Sequence, residues 1–137
     1  MPRTNTTSES SISVARPNAK VEFIFPTADS SSRTRIVIPE NSRWRTELHW
    51  HESYDEYVCV NRGRIRVTIG DLTKECGPED GVLKIPKFTV HEFMRADIDM
   101  EDEAKEAGDV EVCEWTDPGM EPPLDWQLLA DASQRMA

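Results

Sequence analysis

Apolar and polar residues alternate in short runs along most of this chain. Val21-Glu22-Phe23-Ile24-Phe25 stops at Pro26 and Arg35-Ile36-Val37-Ile38 stops at Pro39, each a β-branched or aromatic run closed by a breaker. The pattern returns at Glu56 to Val60, Arg64 to Ile69, Val82 to Ile85 before Pro86, Thr89 to Met94, and Val110 to Trp115 before Asp117-Pro118-Gly119. Gly70-Asp71 predicts a tight hairpin turn with Gly at a position of positive φ. Ser30-Ser31-Ser32 and the segment from Lys74 to Gly81 read as loops. About eight short strands separated by regular turn signals predict an all-β sandwich or barrel. Residues 1 to 18 hold too few apolar side chains to offset ordering entropy and read as a flexible arm. One barrel domain over 19–118 follows, then a tail over 119–137 in which only the part from about Asp125 has helix-compatible spacing.

The segment Arg43 to His51 is the most informative run. Side chains alternate across a strand, so Arg45, Glu47, His49 and His51 share one face, and Trp44, Thr46, Leu48 and Trp50 share the other. A face made only of charged and titratable groups belongs to solvent or to a polar cavity. The face with two tryptophans calls for a covering layer, either the second sheet of the same barrel or a homodimer contact.

Composition narrows the partners. The chain has 137 residues with 16 Lys and Arg against 26 Asp and Glu, a net charge of -10, which disfavours nucleic acid and anionic membranes. Neither a secretory apolar core near the start nor a run of membrane-spanning length is present, so a soluble, cytoplasmic protein is expected. Cys59, Cys76 and Cys113 are odd in number and far apart, which favours buried thiols over a disulfide or redox role.

All 3 histidines fall where one ion can gather them. His49 and His51 stand two apart on one strand and point the same way, Glu56 opens the next strand, and His91 lies on a later one. In a barrel these faces converge on a single interior. Three imidazoles and a carboxylate suit a divalent transition metal, with Fe, Mn, Ni, Co, Cu and Zn all compatible. Binding needs neutral imidazole and ionised carboxylate, so affinity falls below about pH 6. Arg45 and Glu47, on the expected histidine face, are candidates for anion binding and proton transfer, or else a structural salt bridge. Val58 and Phe93 are candidates, with Arg45, for the wall of a substrate pocket, or else core. The acidic run from Asp97 to Asp109 lacks the Gly and Glu of a calcium loop and reads as a solvated connection.

These residues also resemble a known family. His49-Trp50-His51, four residues, Glu56, six residues and Gly63 match the first cupin motif, HxH-x4-E-x6-G, without a gap. The second motif keeps Pro86 and His91, while Phe88 replaces its Gly and Arg95 its Asn. Arg43 and Asp80 stand where each motif begins with Gly. The resemblance spans roughly residues 35–116, and Val110 to Pro118 is similar to small stand-alone fungal cupins, some of them in biosynthetic pathways. It implies a jelly-roll barrel, a metal on His49, His51, Glu56 and His91, and a small-molecule substrate.

Three activities fit that expectation. The first is a non-redox metalloenzyme, an isomerase, lyase (dehydratase) or cyclase acting on a small oxygenated molecule, with Glu47 moving a proton and Arg45 holding an anionic group. The second is an Fe(II)-dependent dioxygenase, and the third a non-catalytic small-ligand-binding module.

Overall fold

The computed structural model describes residues 10–25, 33–101, 105 and 107–117, with Ser10 described by its backbone alone. Nine strands lie among them: β1 Ser10–Val14, β2 Val21–Phe25, β3 Thr34–Ile38, β4 Asp55–Arg62, β5 Ile65–Ile69, β6 Leu72–Cys76, β7 Val82–Ile85, β8 His91–Arg95 and β9 Val110–Asp117. They form a six-stranded sheet in the order β1-β2-β3-β9-β4-β7 and a three-stranded sheet in the order β6-β5-β8. Every pairing within them is antiparallel. The all-β expectation is met.

Alternation decides which side chains meet between the sheets. Phe23, Ile36, Val58 and Val112 of the larger sheet and Ile65, Val67 and Phe93 of the smaller are buried in one core cluster. Trp44 completes it, its ring edge-on to Phe23 at 5.7 Å and to Phe93 at 6.0 Å. Gly70-Asp71 makes the expected two-residue turn between β5 and β6, with Gly70 at a φ of 61°. Gly63 has a φ of 81°, and a Cβ there would lie 2.7 Å from Val110 Cγ2. The glycine that closes the first motif is therefore set by backbone conformation and by close approach to β9.

Three local readings change. Ser10–Val14, within the stretch expected as a flexible arm, forms β1 and pairs along its length with β2; Ile12 and Val14 supply enough alternation for an edge strand. Lys74 to Cys76, expected in a loop, continues β6. That strand is exposed at four of its five positions, so it carries no buried alternation for a reader to detect. Residues 1–9 of the arm and the tail from 118 lie outside the described residues.

The third change matters most. Arg45 pairs with Met94 and His49 with His91 in isolated antiparallel bridges, so four steps of this segment oppose three steps of β8. One extra residue is accommodated near Glu47, whose φ is 62°, and this is the signature of a β-bulge. The alternation therefore changes phase. Ser42, Trp44 and Thr46 point inward before it, whereas beyond it His49 and His51 turn inward, leaving Leu48 at 60 % and Trp50 at 52 % exposure. Thr46 supports the kink from within: its N–H donates to the Phe93 carbonyl at 3.1 Å and its hydroxyl accepts the Phe93 N–H at 2.9 Å. The expected sharing of one face by Arg45 and the histidines is thus corrected, and of the two tryptophans expected outside only Trp50 is there.

Arg95, where the family prefers Asn, is 1 % exposed. Its guanidinium donates to both carboxylate oxygens of Asp97 at 2.9 and 3.0 Å and to the carbonyls of Ile38 and Gly108 at 3.1 and 2.9 Å. It ties the acidic connection to the barrel. Asp99 of the same run pairs with Arg66 at 3.0 Å, so its first two carboxylates are used in ion pairs.

The phase change predicts unequal tryptophans. Trp44→Ala should cost about 3–5 kcal/mol of stability, as for a large aromatic lost from a core, and Trp50→Ala less than about 1 kcal/mol. Urea unfolding of the two variants distinguishes this arrangement from an unbroken strand, which would make the two costs similar.

Candidate metal centre

His49, His51, Glu56 and His91 come together inside the barrel, each offering one donor atom, and these atoms lie within 4.8 Å of one another. The bulge turns His49 and His51 inward from the segment beside β8. Glu56 lies on the inner face of β4, two residues before Val58. His91 starts β8, two residues before Phe93. Val58 and Phe93 are both core side chains, 0 and 1 % exposed, directly interior to Glu56 and His91.

Each imidazole is held through its outer nitrogen. His49 Nδ1–H donates to the Glu47 carbonyl at 2.7 Å and His91 Nδ1–H to the Thr89 carbonyl at 2.9 Å. His51 Nδ1 shares a hydrogen bond of 3.0 Å with the Tyr54 hydroxyl, and the Tyr54 ring stacks on His51 with centroids 4.6 Å apart. Such partners leave Nε2 as the inward donor and fix the ring orientation. The backbones are also joined, with His49 N–H and His91 N–H donating to each other's carbonyls at 3.1 and 2.9 Å.

His51 Nε2 and His91 Nε2 both bond Glu56 Oε1, at 2.9 and 3.1 Å. Burial acts to raise the Glu56 carboxyl, but hydrogen bonds from His51, His91 and Glu114 outweigh it and hold it well below the usual carboxylate range. Burial also acts to lower His91, and Glu56 reverses this, leaving its pKa raised. At His49 burial prevails and the pKa is lowered. Positive charge is therefore drawn to the space between the histidines and Glu56.

That donor set fits a metal ion. Donors at about 2.1 Å from a common ion stand roughly 3–4 Å from one another, so little closure is needed from the present spacing. Three neutral nitrogens and one carboxylate suit a borderline divalent cation, and their number leaves coordination positions for water or substrate.

Arg45 and Glu47 lie elsewhere. Arg45 forms a two-pronged ion pair with Glu92, Nε to Oε2 at 2.7 Å and Nη2 to Oε1 at 2.8 Å. It covers the outer side of β8, and its side chain is 48 % exposed. Glu47 serves the cluster through its backbone carbonyl, while its carboxylate acts electrostatically on Arg45.

Sequence reasoning missed a second buried carboxyl. Glu114 lies on β9 between Thr34 of β3 and Val58 of β4, is 2 % exposed, and hydrogen-bonds Glu56. Burial and the neighbouring Glu56 push its pKa well above the usual carboxylate range, as expected where two acids share a proton. Thr116, opposite Glu56, and Thr34 each have a buried hydroxyl oxygen without a hydrogen-bond partner among the described residues. Inward alternation of Val110, Val112, Glu114 and Thr116 was the available signal.

No protein-family model and no curated protein matches the chain, but solved structures do. A predicted oxalate decarboxylase from Thermotoga maritima superposes with a TM-score of 0.57 at 13 % identity, covering 82 % of this chain and 96 % of that one. The cupin domain of Drosophila melanogaster CENP-C gives 0.50 at 13 %, covering 82 % of each. KdgF from a Halomonas species gives 0.50 at 14 %, covering 81 % of this chain and 87 % of its own. The chain has the cupin fold.

Titration with Mn2+ in a calorimeter should give one equivalent bound per chain, and His49→Ala or His91→Ala should abolish it. Tyr54→Phe keeps the stacked ring and loses the hydroxyl; its dissociation constant should rise about tenfold.

Proposed function

We propose that this chain is a metal-dependent cupin enzyme that moves a proton on a small oxygenated organic substrate, as an isomerase, lyase (dehydratase) or cyclase. The observation that carries this reading is the convergence of His49, His51, Glu56 and His91 on one point inside the barrel. These four side chains would hold a divalent ion, which would supply Lewis-acid polarisation of a carbonyl or enolate oxygen. Glu47 O, Thr89 O and the Tyr54 hydroxyl keep the imidazoles aimed inward. Glu56 and His91 are buried, and the low dielectric around them strengthens electrostatic interactions at that side of the cluster.

We assign proton transfer to Glu114 on its position, buried beside Glu56 with the Thr34 and Thr116 hydroxyls near it. Arg45 and Glu47 enter as supports, one pinning Glu92 on the outer side of β8, the other aligning His49. The free thiols of Cys59, Cys76 and Cys113 fit a reducing, cytoplasmic setting. Among the described residues no helix is long and apolar enough to cross a membrane.

The same donor set favours one other reading, an Fe(II) dioxygenase, because it leaves adjacent positions for oxygen and substrate. A screen of small keto and hydroxy acids in D2O, followed by NMR, reads solvent deuterium entering carbon positions. Exchange should need bound metal, proceed without oxygen, and fall about 10²–10⁴-fold in Glu114→Gln with metal still bound. Unchanged exchange in that variant removes Glu114 from the mechanism, and turnover with oxygen uptake that stops under anaerobiosis replaces the reading with the dioxygenase.

A further inference from the structure

Two of the cysteines that look unrelated in sequence are neighbours in space. Cys59 of β4 stands directly opposite Cys113 of β9 in the antiparallel ladder, and their thiols share a hydrogen bond. Both are free. Directly opposed residues in such a ladder have Cα atoms about 4.5–5.5 Å apart, within the range of about 4.4–6.8 Å that a disulfide spans. Cys76 takes no part, being paired with Ile65 across β5 and β6.

Their surroundings separate the two sulfurs. Cys59 is partly exposed, its thiol directed to Asn61 Oδ1 at 3.8 Å, so a small reagent can reach it. Cys113 is buried, and that burial, with Cys59 beside it, pushes its thiol up to about 11. The guanidinium of Arg33, seated 4.0 Å above the Trp115 ring, also hydrogen-bonds Cys113 and favours the thiolate when it forms.

We propose that Cys59 and Cys113 are a redox-active pair that a small-molecule disulfide of the glutathione type converts to a cross-strand disulfide, tying β4 to β9 on the back of the sheet that carries Glu56. Cys59, having lost its proton, attacks one sulfur of the reagent; its S–S bond breaks and one small thiol leaves. Cys113 then loses its proton and attacks the Cys59 sulfur, the mixed disulfide breaks, and a second small thiol leaves. Two protein thiols are oxidised, one reagent disulfide is reduced to two thiols, and protons and electrons balance. The bond closes a long loop, from Cys59 to Cys113, and its main effect is to restrict the unfolded chain.

The test treats the folded full-length protein with oxidised glutathione and removes the reagent. Of its 3 cysteines, one free thiol should remain, and peptide mapping should join the peptides that hold Cys59 and Cys113. The melting temperature should rise by several degrees and return to its starting value with dithiothreitol. Cys76→Ala should keep the bridge and the rise, while Cys59→Ala and Cys113→Ala should lose both. Three free thiols after treatment, a glutathione adduct on Cys59 that never resolves, or a bridge that uses Cys76 would each overturn the proposal. The wild-type mapping decides the matter even if a variant fails to fold.

Discussion

A carboxylate inside an apolar barrel costs several kcal/mol unless its charge is met, and Glu56 is such a group. It lies two residues from Val58 on the inner face of β4, and the atoms that answer it come from three other parts of the chain. His51 arrives from the bulged segment and His91 from β8, while Glu114 comes from β9. None of these partners could be removed without leaving charge or a polar group stranded in low dielectric. The arrangement is thus held by the same charges that make it able to bind a cation. A divalent ion would meet the charge that a proton on His91 meets otherwise.

Support around the cluster is graded from main chain to side chain. His49 and His91 lean on the carbonyls of the residues two before them, which substitution cannot remove. His51 depends on Tyr54, the one side-chain partner among the three. On the far side of Glu56 lies a polar stretch of sheet, Thr34, Glu114 and Thr116, whose two hydroxyls have no partners among the described residues. Buried hydroxyls are ordinarily hydrogen-bonded, so this stretch is suited to receive polar atoms from water or from a bound molecule. Metal donors and open polar groups therefore meet at Glu56.

The ligand set was legible because its spacing is local: two histidines on one strand, a glutamate at the start of the next, a histidine after Pro86. Most strands were legible because breakers bound them and the core needs alternation. The bulge was not, since a period of two assumes an unbroken strand and nothing in Glu47 announces positive φ. Arg45 was misplaced for that reason alone. Glu114 was hidden differently: it reads as one more acid in a strand with Glu111, and only the pairing of β4 with β9 brings it to Glu56. Phe88 is the converse case. The family prefers Gly at its position, and Phe88 indeed has a φ of 70°, a conformation a bulky side chain adopts only where surrounding contacts impose it; its N–H donates to the His51 carbonyl at 2.7 Å.

The extra residue opposite β8 makes the kink a consequence of chain length. At its present length a straight ladder would set Leu48 opposite His91, turn Leu48 and Trp50 to the core and turn both histidines to solvent. The kink at Glu47 prevents this by absorbing one residue. Loss of one residue between Arg45 and His49 would remove the need for it: the ladder would run straight with His49 still opposite His91, and both histidines would stay inside. A chain one residue shorter in this segment can therefore hold the same imidazole centre without a bulge, and a one-residue gap here in an alignment of related chains leaves the interior unchanged.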